Sequence, residues 1–163
     1  MFVGRVGGGR RSMEPGVSRV RLVRFDRIAT LVVSGGAMTV RSFRDLIAWN
    51  KAFDLSLEVH RVAEQLPAST RFGLASELAK TSRSIVYNIA EGHQRGSTRE
   101  YGRFLGIALG SQAELETQIL LAIRLGVIDG DAAIALLERC AEVGRVIRGL
   151  SKSLRRRGET PAG

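Results

Sequence analysis

The sequence predicts an all-α fold, an antiparallel up-and-down four-helix bundle with a disordered N-terminal extension. Apolar residues recur every three or four positions along four long stretches, and capping or helix-breaking residues separate these stretches. Short loops between long helices favour antiparallel neighbours. The sequence contains no pair of alternating strands and no strand–helix–strand unit, so mixed α/β folds are not expected.

Three regions are expected along the 163-residue chain. Residues 1–37 are rich in glycine and arginine without a sustained helical period, which predicts a disordered basic extension. The alternative is a misassigned start codon, because the stretch that begins at Met38, MTVRSFRDLIAWNKAF, would be a suitable start for the protein. Residues 38–155 are the predicted bundle, and residues 156–163 are a predicted disordered tail. The formal net charge of +9 is concentrated outside the bundle, which is close to neutral.

The first helix is predicted over residues 42–65. Ser42 and Asp45 have the spacing of a capping box at its start. Its core-facing stripe consists of Ala48, Ala52, Leu55, Val59, Val62 and Leu66. A neighbouring stripe contains Trp49, Phe53 and His60. This second stripe makes the apolar arc wider than a helix seam needs, so it predicts an oligomer interface.

The second helix is predicted over residues 71–91, after a break at Pro67–Thr70. Gly92 stands where a helix-ending glycine is expected. Asn88 is a polar residue on an otherwise apolar face. We expect it to fix the packing register or to hydrogen-bond the corner between two helices.

The third helix is predicted to begin after Ser97, which has capping-box spacing to Glu100, and to run to about Leu125. It is apolar on nearly every side, which is typical of a central helix or of one that a partner covers. Three glycines follow at i, i+4 and i+8, namely Gly102, Gly106 and Gly110. Each costs about 1 kcal/mol of helix propensity relative to alanine. Close approach of another backbone at an oligomer interface is therefore expected there.

The fourth helix is expected to start at a cap on Asp129. Its core-facing stripe consists of Leu136, Cys140, Val143, Ile147, Leu150 and Leu154. No window of the chain approaches 18 consecutive apolar residues, so no membrane-spanning helix is expected. The single cysteine excludes an intrachain disulfide and suits the reducing cytosol, which predicts a cytoplasmic protein.

Catalytic residues, metals and cofactors are not expected. Di-iron bundles need Glu-x-x-His pairs, but His60 and His93 each follow a glutamate by two positions, which points the two side chains to different faces. The sequence contains no Cys-x-x-Cys zinc motif. Cys140 lies on an apolar stripe, and we expect it to pack as a small hydrophobic residue. His93 is expected to be exposed in a loop after Gly92.

Two basic clusters are candidate nucleic-acid contacts. The corner cluster, between the second and third helices, consists of Arg95, Arg99 and Arg103. The fourth-helix stripe consists of Arg145, Arg148 and Lys152, and Arg155 or Arg156 continues it. Phosphate binding requires cations aligned along one surface, and helical spacing supplies that alignment. The alternative is an ordinary solvated face, since cations near a helix C-terminus also favour the dipole. Arg99 and Arg103 lie near a helix N-terminus, where the dipole disfavours them.

The stretches FRDLIAWNKAFDL (43–55) and SIVYNIAEGHQRGSTREYGRFLGIALGSQAELETQ (84–118) resemble the bacterial four-helix-bundle family of 23S rRNA-intervening-sequence proteins. The resemblance spans about residues 40–154. The residues that match the family pattern are Asn88, Glu91, Gly92, Arg95, Ser97, Glu100, Phe104, Gly110, Ser111, Glu114 and Glu116. This chain differs at Val86, where proline is common in the family, and at Gly102 and Gly106, where larger residues are frequent.

The resemblance implies a homopentameric ring without catalytic residues. A related branch of the family is the accessory protein of diversity-generating retroelements, which binds nucleic acid and a reverse transcriptase. The partners it implies are further copies of the chain, RNA or DNA, and a reverse transcriptase or a ribosomal component. We therefore expect a non-enzymatic, oligomeric protein that binds nucleic acid through basic surface residues. The alternative is a protein-interaction scaffold that does not bind nucleic acid.

Overall fold

The structure is a computed structural model that describes residues 40–158, with the backbone alone at positions 68, 71, 72, 157 and 158. Its four long helices are α1 (Ile47–Gln65), α2 (Ser76–Gln94), α3 (Thr98–Arg124) and α4 (Gly130–Gly158). No strand occurs between residues 40 and 158. The predicted all-α bundle is thus confirmed. The predictions for residues 1–37 and 159–163 lie outside the described residues.

The helices form a closed square in which each one packs against two neighbours. Helix α1 contacts α2 and α4, and α3 also contacts α2 and α4. With short connections, this arrangement is an up-and-down bundle. The starts of α1 and α3 and the ends of α2 and α4 therefore share one end, which we call the basal end. The opposite end, where α3 turns into α4, is the apical end.

The core is one contiguous apolar cluster between the four helices. Its large side chains at 1 % exposure or less include Leu55, Leu78, Ile85, Leu105, Leu115, Ile119 and Ile147. Burying each such side chain contributes roughly 1.5–3 kcal/mol relative to leaving it in water. Most members of the predicted first-helix and fourth-helix stripes are buried, and the rest pack partly buried against the cluster.

The chain enters α1 through a separate turn. The predicted capping box forms, since the backbone N–H of Ser42 donates to Oδ2 of Asp45 over 2.9 Å. It caps only a 3-10 turn, Phe43–Asp45, because Leu46 adopts an extended backbone (φ −78°, ψ 123°) before α1 begins. Leu46 itself is buried, so packing of this side chain sets the break. The side-chain amide of Asn50 donates to the carbonyl of Leu46 over 2.9 Å and helps to satisfy the broken turn.

Helix α2 begins and ends later than predicted. A π-helical segment, Arg71–Ala75, precedes it, with non-helical angles at Gly73 (φ −105°, ψ −107°). The expectation that Gly92 ends the helix is wrong, because α2 continues to Gln94 and Gly96 takes the left-handed conformation (φ +66°) after it.

Gly92 is instead a packing position inside α2. A Cβ added there would lie 2.7 Å from Cβ of Phe104 and 2.9 Å from Cδ2 of Tyr101, both on α3. Only a residue without a side chain permits α2 and α3 to approach this closely at the corner. The glycine is therefore required by tertiary contact rather than by a turn.

Helix α3 packs against two neighbours, like each of the other three helices, and is not a central helix. It begins after Ser97, whose Oγ accepts from the backbone N–H of Glu100 over 3.5 Å, as predicted. Several of its apolar side chains are exposed, namely Ile107, Leu120, Leu121 and Leu125, the last of these just past its end. A Cβ added at Gly102, Gly106 or Gly110 would meet no atom of the described chain within 4 Å. Any close backbone packing on these glycines must therefore come from outside the described residues.

The apical turn is compact. Gly126 adopts φ +66°, Ile128 is buried, and Oδ2 of Asp129 accepts from the backbone N–H of Asp131 over 3.2 Å at the start of α4. Helix α4 then reaches Gly158, so residues 156–158 are helical rather than part of the predicted tail. Cations in its last turns favour the helix dipole and extend the helix. Across the described helices, none is long and apolar enough to cross a membrane.

Candidate nucleic-acid interface

The fourth-helix stripe lies on the outward face of α4 at the basal end. Arg145, Arg148 and Lys152 are all exposed, and exposed Arg155 continues the line. Val143 and Ile147, on the opposite side of the helix, are buried in the core. From Arg145 to Arg155 the stripe rises about 15 Å at 1.5 Å per residue. The sequence from 143 to 158 contains no Asp or Glu, so the nearest acid on α4 is Glu142, one turn before Arg145.

Two carboxylates near the fourth-helix stripe form ion pairs across the seam between α4 and α1. Oε1 of Glu142 lies 2.6 Å from Nζ of Lys51, and Oε2 of Glu58 lies 2.8 Å from Nε of Arg139. The hydrogen bond from Lys51 lowers the pKa of the Glu142 carboxyl below its ordinary value, and the positive charges of Lys51, Arg145 and Arg139 add to this shift. Glu142 therefore stays ionised and paired with α1.

The corner cluster is assembled around one aromatic ring. The guanidinium carbons of Arg95 and Arg103 lie 5.1 Å and 4.9 Å from the ring centroid of buried Phe104. Arg95 also pairs with Glu91, and Nε of Arg103 lies 3.5 Å from the carboxylate of Glu100. The predicted proximity of these arginines is present. Their charge is partly neutralised, because each has an acidic partner one helical turn away.

Arg99 is the exposed member of the corner cluster, in the first turn of α3. No acidic partner of Arg99 is found among residues 40–158. Because the positive end of the α3 dipole lies here, a bound anion would interact favourably with both this side chain and the helix.

Both clusters lie at the same level along the bundle. Nε2 of Gln112 on α3 donates to Sγ of Cys140 on α4 over 3.5 Å, which fixes where the two antiparallel helices pass each other. Arg103 precedes Gln112 by nine residues and Gly149 follows Cys140 by nine, so these positions are level. The fourth-helix stripe and the corner cluster thus share the basal end.

The predicted interface residues of α1 divide into a surface pair and a structural link. Trp49 and Phe53 stack at a centroid distance of 4.9 Å, and Phe53 remains 39 % exposed. His60 is half-buried and joins α1 to α2. Its Nε2 lies 2.8 Å from Nη1 of Arg83 and its Nδ1 lies 2.6 Å from the carbonyl oxygen of Ser56. Since arginine only donates, Nε2 accepts and Nδ1 carries the hydrogen.

Sequence reasoning missed three exposed side chains on these two helices: Ile47 and Leu57 on α1, and Tyr87 on α2. Leu57 follows Phe53 by one helical turn, so the pattern of α1 alone could have indicated it. Tyr87 lies on another helix, and only the bundle topology brings it to the same side. The exposed surface of α1 is therefore broader than the predicted stripe.

Asn88 supports a polar contact between α2 and α3 only indirectly, because both of its hydrogen bonds go to Ser84 on its own helix. Its Nδ2 donates to the carbonyl of Ser84 over 2.7 Å, and it lies 3.2 Å from Oγ of the same residue. Oγ of Ser84 in turn hydrogen-bonds Oγ of Ser111 on α3 over 2.9 Å. This chain of bonds penalises sliding of one helix along the other, because a shifted pair would leave partly buried polar groups unpaired.

The two glutamates of the predicted motif point to opposite neighbours. Oε1 of Glu114 accepts from Thr81 Oγ1 on α2 over 3.4 Å and from Gln118 Nε2 over 3.3 Å. Oε2 of Glu116 accepts from Nε2 of Gln112 over 3.0 Å, next to α4. Glu114 thus links α3 to α2, whereas Glu116 bonds a residue of its own helix.

The remaining titratable candidates lie inside the bundle. Burial and the charge of Glu116 raise the pKa of the Cys140 thiol, although the hydrogen bond with Gln112 opposes this. A neutral thiol is a poor nucleophile. The expectation that His93 lies exposed in a loop is wrong, because α2 extends past it and its ring packs edge-on against Tyr101 at a centroid distance of 5.9 Å. Within residues 40–158, no group of three potential metal ligands comes together.

Comparisons with known proteins agree with this architecture. The profile of the family described as 23S rRNA-intervening sequence protein matches residues 44–149. A crystal structure from Bacteroides thetaiotaomicron VPI-5482, described as a protein with unknown function from the S23 ribosomal protein family, is similar with a TM-score of 0.62 and 20 % identity. The likeness covers 65 % of this chain and 96 % of that one, and it shows a shared fold. No curated protein matches the chain.

Proposed function

The chain belongs to the 23S rRNA-intervening sequence protein family, and from this premise we propose that it is a non-enzymatic, cytoplasmic protein that binds RNA or DNA. The fourth-helix stripe makes the principal contact, with the phosphate backbone. The corner cluster, at the same end of the bundle, makes a secondary contact through Arg99.

The observation that carries this proposal is the charge of α4 beyond Val143. Its exposed cations form a line of about 15 Å without an acidic residue among them. A polyanion with regularly spaced charges suits such a line, and release of its counterions would drive binding. Arg145 and Arg148 lie inside the family match, and Lys152 and Arg155 extend it.

The test is binding of the full chain to a structured 23S rRNA fragment and to a DNA duplex, measured by fluorescence anisotropy over a range of salt. The test variant is Arg145→Gln with Arg148→Gln and Lys152→Gln. Each lost phosphate contact lowers the slope of log K against log salt by about 0.7–0.9, so we expect a slope smaller by about 2–3. A matched control removes three exposed apical cations, Arg61, Lys80 and Arg124, by the same substitution. Equal slopes for both variants would refute the role of the stripe.

We also propose self-association, with the homopentamer as the expected assembly. Its support is the exposed surface of α1, where Trp49 and Phe53 stack, and the open glycine positions of α3. Light scattering of the full chain and of Phe53→Glu tests this, with dissociation expected for the variant. A monomeric wild type at micromolar concentration would refute it.

The same surface supports a second candidate function, a protein-interaction scaffold without nucleic-acid binding. Large exposed apolar side chains on α1 and α2, including Phe53 and Tyr87, favour contact with protein. A reverse transcriptase or a ribosomal component is the expected partner. If the full chain binds neither RNA nor DNA at low salt, and a purified partner of this kind binds it through Phe53, the scaffold function replaces the first one.

A further inference from the structure

The fourth-helix stripe faces the outer surface between α3 and α4 at the basal end. Arg148 follows Arg139 by nine residues, or two and a half turns, and Arg139 pairs with Glu58 of α1. Arg148 is therefore on the side of α4 away from α1. A Cβ added at Gly144 would lie 3.2 Å from Nη2 of Arg148 and 2.7 Å from Oε1 of Gln112. Arg148 thus reaches towards α3.

Two glycines of α3 lie on the same outer surface. Gly106 precedes the fully buried Leu115 by nine residues, so it points directly away from the core. Gly102 precedes Ser111 by nine residues, and Ser111 bonds α2. Gly102 is therefore on the side of α3 away from α2, next to α4.

The glycines are level with two cations of the stripe. Gln112 of α3 touches α4 one and two turns before Arg148. Gly106 precedes Gln112 by six residues in the antiparallel helix, which places it level with Arg148. Gly102, one turn earlier, is level with Lys152 by the same count.

Arg99 completes this surface from the side of α3. It precedes the fully buried Ala108 by nine residues and so points outward, at the positive end of the α3 dipole. We call the whole set the basic face, and its members are Arg99, Gly102 and Gly106 on α3 and Arg145, Arg148, Gly149 and Lys152 on α4.

Acidic side chains turn away from the basic face. Neither residues 101–113 of α3 nor residues 143–158 of α4 include Asp or Glu. The next acid on α3, Glu114, bonds Thr81 of α2, and the next acid on α4, Glu142, pairs with Lys51 of α1. The cations on this face therefore remain available to an anion.

The surface between the cations is low and free of aromatic rings. A Cβ added at Gly102, Gly106 or Gly149 would meet no atom of the described chain within 4 Å. Glycine lets a ligand backbone approach a helix closely, and then cations on both sides can reach it. The exposed rings of Phe53 and Tyr87 lie on α1 and α2 instead. Proteins that bind single strands stack the bases on such rings.

We infer that the basic face binds the backbone of a nucleic-acid duplex, an inference that rests on the proposed function and names its ligand. Packed helix axes lie about 8–10 Å apart, so Arg99 and the cations of α4 form two sides with a separation of that order. Two phosphate strands border each groove of a duplex, with groove widths of roughly 6–12 Å in DNA. One strand contacts Arg148 and Lys152, and the other contacts Arg99. Self-association then depends on the exposed surface of α1.

The first test compares three labelled probes by fluorescence anisotropy with the full chain. The probes are a 20-base-pair DNA duplex, a 20-base-pair RNA duplex and a single-stranded oligo-dT of 20 nucleotides. We expect at least one duplex to bind about tenfold more tightly than oligo-dT and with a steeper salt dependence, because a duplex has the higher charge density. The tighter duplex identifies the kind of nucleic acid.

The second test fills the surface between the cations without changing any charge. Gly102→Leu with Gly106→Leu should weaken duplex binding about tenfold or more. Because leucine favours a helix more than glycine does, chemical denaturation should show no loss of stability, and misfolding cannot explain the result. The matched control, Thr117→Leu with Ala135→Leu, adds exposed bulk to the apical halves of the same helices and should bind the duplex like the wild type.

Three outcomes would overturn the inference while the fourth-helix stripe keeps its role. They are equal affinity for oligo-dT and both duplexes, unchanged duplex binding by the glycine variant, and a smaller particle for that variant by light scattering. The last result would assign the glycines to contact between copies of the chain. If the wild type binds none of the three probes at low salt, the proposed function is refuted together with this inference.

Discussion

The basal and apical ends of the bundle are built by the same helices and differ in almost every surface property. At the basal end, α4 carries Arg145, Arg148, Lys152 and Arg155 without an acid, and the arginines of the α2–α3 corner add to them. At the apical end, exposed leucines and an isoleucine lie among charges of both signs, with Asp129, Asp131 and Glu138 as acids and Arg61, Lys80 and Arg124 as cations. The 18 basic and 13 acidic residues between positions 40 and 158 are therefore unevenly distributed along the axis of the bundle. Net charge alone says little about what such a protein binds.

The two ends also turn the chain by different physical means. The basal corner depends on close packing, with Gly92 pressed against Phe104 and Tyr101. The apical turn depends on backbone conformation, with Gly126 at φ +66° and open space around it. The predictions below separate these two mechanisms and are ordered by the size of the expected effect.

Gly92→Ala should give the largest loss of stability, about 2 kcal/mol. The new methyl group would overlap Phe104, and this overpacking outweighs the gain in helix propensity. Chemical denaturation measures the free energy of unfolding. Gly110→Ala is the matched control, since a Cβ there meets open space in the described chain, and it should not destabilise the fold. Equal effects of the two substitutions would show that the corner is not tightly packed.

Gly126→Ala should cost about 1 kcal/mol, less than the change at Gly92. The left-handed conformation strains any residue with a Cβ, but no neighbour is displaced. The same denaturation experiment applies. Gly126→Asn tests the cause, because asparagine tolerates this conformation better and should recover part of the loss. A larger loss at Gly126 than at Gly92 would reverse the ranking of the two ends.

Tyr101 makes the stability of the basal end sensitive to alkaline pH. Burial raises the pKa of its phenol to about 12, from an ordinary value of 10.0. The folded state favours the protonated phenol, so this contribution is complete below pH 10 and is lost as the pH rises towards 12. Unfolding measured between pH 9 and pH 12 should show a shallower decline for Tyr101→Phe. Tyr87→Phe, at an exposed position, should retain the wild-type profile.

Glu142→Gln should have the smallest effect. It breaks the contact with Lys51 at the surface, where ion pairs contribute little. Because the pKa of this carboxyl is lowered, its stabilising contribution exists when it is ionised and disappears as acid protonates it. The difference between variant and wild type should therefore vanish in acid. Removing this charge near the fourth-helix stripe should also strengthen nucleic-acid binding slightly, whereas Glu138→Gln at the apical end should not.

Helix number and core faces could be predicted from the sequence because they depend on local periodicity. The spacing of Leu136, Cys140, Val143 and Ile147, for example, is enough to fix which side of α4 is buried. The end of α2 could not be predicted in the same way. Gly92 and Gly96 are both suitable stop residues in the stretch EGHQRG, and only the position of Phe104 on the next helix decides between them.

The spacing of the basic residues in the candidate site could be predicted from the sequence, but most of their contacts with other side chains could not. Spacing placed Arg95 and Arg103 near each other, but the shared ring of Phe104 emerges only when α2 and α3 pack. The acidic partners of both arginines lie three or four residues away along the helix or the corner, and the sequence already contains that signal. The hydrogen bond between His60 and Arg83 joins two helices, so no spacing within either helix predicts it.

The seam between α1 and α4 has a consequence for how the chain folds. Each of the other three helix contacts joins neighbours along the sequence, so each closes a short loop. The α1–α4 seam, with Lys51 against Glu142 and Glu58 against Arg139, closes a loop of about 80 to 90 residues at a higher entropic cost. Folding should therefore proceed from helical hairpins, and this seam should form last. Amide hydrogens along it should exchange earlier than those between α2 and α3.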